Sequence, residues 1–136
     1  MIFGCMNEFI AFVSIIICGF FLASCEGNTD YYFEVRNNCS TQIFVKSVNW
    51  SSDTVILKIA SGAQGEVLQE AQRGGVKNPE NLGDYLIHLE IYNNLGVPLN
   101  YDPINNKYWS RSTEVRSKIP ANYGHSYLLE VSENHF

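Results

Sequence analysis

The sequence predicts an all-β domain, a single antiparallel β-sandwich, behind an N-terminal apolar segment. Three observations carry that expectation. Apolar and polar side chains alternate over several short stretches, clusters of Gly, Asn, Ser and Asp separate them, and no segment after residue 24 keeps a helical period. A chain of 136 residues holds one such domain besides a leader, because domains commonly need about 100 to 150 residues to close a core.

Phe9 to Ala23 is an apolar run of fifteen residues in which Ser14 is the only polar side chain. That is the length of a signal-peptide core and short of the roughly 20 residues that span a bilayer as a helix. At its end stand Leu22-Ala23-Ser24-Cys25, which resemble the lipobox of bacterial lipoproteins: an aliphatic residue, two small residues, then the cysteine that is modified. The resemblance implies a signal peptide over residues 1–24, with Leu22, Ala23 and Ser24 read by the peptidase. It also implies that the Cys25 thiol becomes a thioether-linked diacylglycerol, and two or three acyl chains at about 0.8 kcal/mol per buried CH₂ hold a protein to a membrane.

The alternatives are an ordinary secretory signal or an uncleaved anchor, since Met1 to Asn7 contain neither Lys nor Arg and Glu8 is acidic. They differ in cysteine chemistry. Lipidation removes Cys5 and Cys18, uses Cys25 and leaves Cys39 unpaired, whereas plain secretion allows a Cys25–Cys39 disulfide. Removing residues 1–24 takes away Glu8 alone among the charged residues. Nine basic and thirteen acidic side chains then remain, a formal charge of −4. That balance argues against nucleic acid as a partner.

Residues 25–30 are small, polar and acidic, as in a flexible tether, and the domain is expected over 31–136. Tyr31, Phe33 and Val35 alternate with Tyr32, Glu34 and Arg36 as a half-buried strand, and Asn37-Asn38-Cys39-Ser40 is turn chemistry. Gln42 to Asn49 follows, with Ile43 and Val45 on one face and an unusually apolar second face at Phe44 and Val48. Trp50 to Asp53 turns the chain into a third strand at Val55, Leu57 and Ile59, and a weaker fourth covers Glu66 to Ala71. Arg73 to Gly83 is a long excursion. In Asp84 to Tyr92, Tyr85, Ile87, Leu89 and Ile91 point one way, opposite Leu86, His88, Glu90 and Tyr92. A hairpin at Asn93 to Gly96 leads into Val97 to Tyr101, an extended segment covers Tyr108 to Val115, and Ser126 to Val131 closes the domain.

Seven or eight such strands suit an immunoglobulin-like or related Greek-key sandwich. The order Val35-Arg36-Asn37-Asn38-Cys39-Ser40-Thr41-Gln42-Ile43-Phe44-Val45, then Ile59-Ala60-Ser61-Gly62 and Tyr127-Leu128-Leu129-Glu130-Val131, resembles small Bacteroidetes-type lipoproteins with such domains. The resemblance implies a place in the cell envelope, on the outer membrane rather than the inner.

No catalytic constellation is evident. A Gly-x-Ser-x-Gly elbow is missing, Cys39 has no partner motif, and Gly62-Ala63-Gln64-Gly65 and Arg73-Gly74-Gly75 do not continue into a phosphate-binding helix. His88 and Glu90, with Asp84 nearby, have a spacing two metal ligands can use, but they lie on a predicted solvent face without a third ligand motif, so no metal and no cofactor is assigned. Arg111, Arg116 and Lys118 around Glu114 form a small basic area of the sort that protects a strand edge. Asp53-Thr54-Val55, Asn38-Cys39-Ser40 and Asn49-Trp50-Ser51 are short glycosylation-like matches with high chance rates.

The richest ligand chemistry lies in residues 101–111, where Tyr101, Tyr108, Trp109 and Arg111 stand among amides. Aromatic rings stack on sugar C–H faces while Asn and Asp take hydroxyl hydrogen bonds. The competing expectation makes Trp109 the buried aromatic of a sandwich core. Together these features lead to a non-catalytic, lipid-anchored module for an envelope protein or a glycan. A structural component of an envelope complex is the alternative, and a small hydrolase the third.

Overall fold

The computed structural model describes residues 26–78 and 81–136, so the signal peptide, Leu22, Ala23, Ser24 and Cys25 lie outside the described residues. The described chain forms seven strands: β1 (Asn28–Asn37), β2 (Ile43–Asn49), β3 (Thr54–Ile59), β4 (Gln64–Arg73), β5 (Leu86–Asn93), β6 (Trp109–Lys118) and β7 (Ala121–Val131). They make two sheets, one in the order β4-β1-β7-β6 and the other β3-β2-β5. One buried cluster runs between them, drawing Tyr31, Phe33 and Val35 from β1, Ile43 and Val45 from β2, and Leu89 and Ile91 from β5.

β1 organises the larger sheet. Its burial alternates strictly, with Thr29, Tyr31, Phe33, Val35 and Asn37 turned inward. Phe33 is the hub of the core, stacked on Tyr127 at 4.6 Å between ring centroids and meeting Trp109 edge-on at 6.4 Å. Aromatic pairs at such separations add to the stabilisation that burial of their area already provides.

Two expectations change here. The strand begins at Asn28 rather than Tyr31, so residues 28–30 belong to the domain and not to a tether. Their polar groups are used inside: the Thr29 hydroxyl donates to Gly74 O at 2.7 Å and accepts from the Val76 amide at 2.8 Å. The sandwich is also not antiparallel throughout, because β1 and β7 pair in parallel from Thr29↔Tyr123 to Asn37↔Val131. Parallel neighbours cannot be joined by a tight hairpin, and these two are the first and last strands of the domain.

Bulges break the alternation at three places. On β4, Phe33 faces Leu68 while Glu34 faces Glu66, which leaves Val67 outside the β1 ladder. Val67 and Leu68 are consequently both buried, and the Val67 carbonyl accepts the Ser47 hydroxyl of the opposite sheet at 2.9 Å. On β5, Val48 faces His88 and Asn49 faces Leu86, so Ile87 is the extra residue. This reverses the expected phase, placing Leu86 in the core and Ile87 at the surface. On β6 the extra residue is Arg116.

The expected strand at Val97–Tyr101 is reduced to one bridge between Tyr92 and Pro98, since Pro98 has no amide hydrogen to continue a ladder. The preceding turn forms as expected, with Gly96 at φ 78° and the Asn93 side chain accepting the Leu95 and Val97 amides.

The strand directions sort the connections to two ends. One end holds the start of β1, the turn 50–53, the segment after Arg73 and the turn between β6 and β7. The other holds the turns 38–42, 60–63 and 94–96. Cys39 sits at this second end, and β1 alone spans about 30 Å at roughly 3.3 Å per residue. The alternative Cys25–Cys39 disulfide involves Cys25, which lies outside the described residues.

Two phenylalanines separate core from surface. Phe33→Ala is expected to lower the free energy of unfolding by about 3–5 kcal/mol, whereas Phe44→Ala, on the outer face of β2, costs far less. Urea denaturation followed by tryptophan fluorescence measures both; equal losses contradict the assignment of Phe33 as hub.

Candidate binding surfaces

The segment 101–111 is built by its own turns. Asp102 Oδ1 accepts the Ile104 amide at 3.0 Å and Asn105 Oδ1 accepts the Lys107 amide at 3.1 Å, so side chains expected to meet a sugar instead hold the backbone. Trp109 opens β6 on its inner face, is only 5% exposed, and donates its indole N–H to Pro103 O at 2.7 Å. It is a core residue and not a platform.

Tyr101 and Tyr108 are half-buried and pack on each other at 4.0 Å between centroids. Lys107 lies over the Tyr108 ring at 4.5 Å, and His135 meets Tyr101 edge-on at 5.3 Å. Burial, and then Tyr108, push the Tyr101 phenol up to about 12. Arg111 is exposed on β6. The structure thus gathers Tyr101 and Tyr108, and among the described residues no cation–ring contact includes Arg111. The adjoining hollow, lined by Ile91, Tyr92, Leu99, Tyr101 and Pro103 among others, has a volume of about 160 Å³. Pockets for drug-sized molecules usually enclose about 300–1,000 Å³.

The three histidines stand apart. His125 is fully buried on the inner face of β7, with Nε2 at 2.7 Å from Val76 O and Nδ1 at 2.9 Å from the Thr113 hydroxyl. A carbonyl only accepts, so Nε2 carries a proton and in the neutral ring Nδ1 accepts from Thr113. His88 lies on the outer face of the other sheet, paired with Glu90 at 3.0 Å. His135 caps the C-terminal turn. Asp84 is turned back onto the Asn81 amide at 3.1 Å and does not join His88. Among the described residues no group of three His, Cys, Asp or Glu side chains is placed to hold a metal ion. Cys39 is buried, and burial, helped by the negative charge of Glu133, pushes its thiol up, which suppresses the nucleophilic thiolate.

Both outer faces carry ion pairs. On the β4-β1-β7-β6 sheet two arginines hold carboxylates. Arg116, re-aimed by its bulge, crosses β7 above Gly124 to bond Asp30 and, at 3.2 Å, the Tyr32 hydroxyl, while Arg36 pairs with Glu130 at 3.2 Å. A polar hollow of about 250 Å³ lies between Asn28, Asp30, Arg116, Asn122 and Tyr123. The basic area expected around Glu114 is therefore partly neutralised.

On the other sheet, register lines up three outward rows: Lys58-Phe44-Tyr92, Ile56-Lys46-Glu90 and Thr54-Val48-His88. Ile56 is 74% exposed and Phe44 37%, with the Lys58 ammonium 5.8 Å from the Phe44 ring centroid. An apolar centre mixed with Lys, His and Glu is the composition of a protein-facing surface. The sequence pointed to Phe44 and Val48 through the apolar second face of β2. It gave no signal for Ile87, which a bulge turns outward, nor for Trp50, read only as a turn residue and 64% exposed with its N–H on Gly83 O at 3.1 Å.

Comparison with protein-family models, curated proteins and solved structures finds no match to this chain.

The His88–Glu90 pair sets a local pH response. The hydrogen bond from His88 is the largest of the effects that hold the Glu90 carboxyl below its ordinary value of 4.5. A depressed carboxylate contributes stability above its unfolded value and loses it as pH falls through the folded one. A carboxyl NMR titration is expected to place Glu90 below 4.5 and to move it upward in His88→Ala; an unmoved midpoint refutes the pairing.

Proposed function

We propose that the chain is a lipoprotein of a bacterial cell envelope, carried on the outer membrane by lipid on Cys25. Its sandwich, of immunoglobulin-like or related Greek-key topology, binds a protein partner through the outer face of the β3-β2-β5 sheet and performs no chemistry. The Leu22-Ala23-Ser24-Cys25 pattern at the end of an apolar run supports the anchor. The division of seven strands into sheets of four and three supports the topology.

One observation carries the binding role: Ile56, 74% exposed, stands with Phe44 and Val48 in an apolar centre on this outer face, beside the Lys46–Glu90 and His88–Glu90 pairs. The glycan alternative drew on Tyr101, Tyr108, Trp109 and Arg111, of which Trp109 is in the core and Tyr101 and Tyr108 are half-buried against each other. A structural role in an envelope assembly uses the same face and differs only in the lifetime of the complex.

Cys25→Ser is expected to move the protein from the membrane to the soluble fraction, and mass spectrometry of the wild type to find acyl chains on Cys25. A photo-crosslinker at position 56, introduced in living cells, is expected to give an adduct with an envelope protein that Phe44→Glu abolishes. An unmodified Cys25 removes the anchor from the proposal. An adduct indifferent to Phe44→Glu removes the face.

A further inference from the structure

We propose that the anchor-proximal end of the sandwich is itself a membrane-seating surface. Ile119 enters the headgroup boundary of the bilayer, and Lys118, Lys77 and Arg73 lie over the lipid phosphates. This goes beyond partner binding and rests on the lipid anchor at Cys25 argued above.

The first support is where the undescribed chain ends. Gly27 O accepts the Gly74 amide at 2.7 Å, and the backbone of Ala121 lies against Gly27. Only Glu26 separates Gly27 from Cys25, so the backbone that carries the lipid can be no more than about 7 Å from Gly27. Ala121 follows the turn Ile119-Pro120 directly. The tip of that turn therefore faces whatever surface the lipid enters.

The second support is Ile119. At 89% it is the most exposed of the large hydrophobic side chains described, and it projects from a two-residue turn. Trp50 belongs to the same end of the other sheet, its indole N–H held by Gly83 and most of the ring exposed. Tryptophan favours the boundary between headgroups and acyl chains.

Charge is the third support. Five cations are engaged: Arg36, Lys46 and Arg116 with carboxylates, Lys58 and Lys107 over aromatic rings. Of the four described cations with neither kind of partner, Arg73, Lys77 and Lys118 lie at the anchor end, and Arg111 lies toward the other, opposite Tyr127. Nearby Asp84 and Asp53 are turned back onto Asn81 and Asn49. Free cations around an exposed apolar tip suit anionic lipid. The anchor makes the contact intramolecular, so a weak patch suffices.

The test uses the full lipidated protein in vesicles of phosphatidylethanolamine and phosphatidylglycerol, with Ile119→Cys carrying an environment-sensitive fluorophore. Buried Cys39 escapes labelling. The control is Leu95→Cys, 81% exposed at the opposite end. Flotation is read first: a chain that does not float overturns the anchor and the seating together. For a chain that floats, the expected result is a blue-shifted emission at position 119, quenched by spin-labelled lipid, and a water-like emission at position 95. Water-like emission at both positions overturns the seating while leaving the anchor intact. Lys118→Glu combined with Lys77→Glu is expected to reduce the shift at 119, and an unchanged shift refutes the part assigned to phosphate.

Discussion

β1 pairs along both edges, antiparallel to β4 and parallel to β7, while its inward face supplies Phe33 to the middle of the core. A strand so enclosed must satisfy every main-chain group, because each one left unpaired costs about 1–3 kcal/mol. The ladders do this along its length, and polar side chains do it at its ends. Thr29 ties the segment Gly74–Val76 at one end. Asn37, fully buried at the other, donates through Nδ2 to Thr41 O and Ile59 O and accepts the Cys39 amide on Oδ1. Those bonds fix where the chain leaves for β2 and where it returns from β3. The position of the second sheet over the first follows from them, together with the inter-sheet bond from Ser47 to Val67.

This arrangement explains what the sequence could and could not convey. The strands, their turns and the inward residues of β1 and β2 were legible because local alternation reflects one buried face. Ile87 was misplaced for a local reason as well, since a single extra residue reverses the phase of everything beyond it and leaves no compositional mark. The parallel pairing of β1 with β7 was not legible, as it joins segments about ninety residues apart without a connecting turn. Asn28 to Asp30 looked like a tether because their polarity is spent on partners distant in sequence, among them the Asn122 side chain, which accepts the Asn28 amide at 2.6 Å.

The candidate site divides along the same line. Residues 101–111 attracted attention through composition, yet composition cannot distinguish a ring offered to a ligand from one that closes a core. Trp109 shows the difference: its position at the start of β6 and the carbonyl of Pro103 give the indole both burial and a hydrogen-bond partner. Phe44 and Val48 were legible as an anomaly because a half-buried strand rarely places apolar side chains on both faces. Ile56 joins them only through the register of β3 on β2.

Anchor and fold then combine through geometry. The strands run between the two ends of the sandwich, so on the proposed anchor a lipid attached three residues before β1 would stand them away from the bilayer. Under that proposal the face bearing Phe44 and Ile56 would look along the membrane, and the turns at 38–42 and 94–96 would be the parts most remote from it. A tether of six residues allows the domain to tumble over that surface. Because Asn28 and Thr29 are locked into the sheet and the Gly27 carbonyl accepts the Gly74 amide, the proposed tether shortens from six residues to the two before Gly27, and a link that short would restrict tilt. On the proposed anchor, the polar residues that made the N-terminus look flexible would thus be the ones that confine the domain's orientation, and with it the direction in which the apolar face is presented.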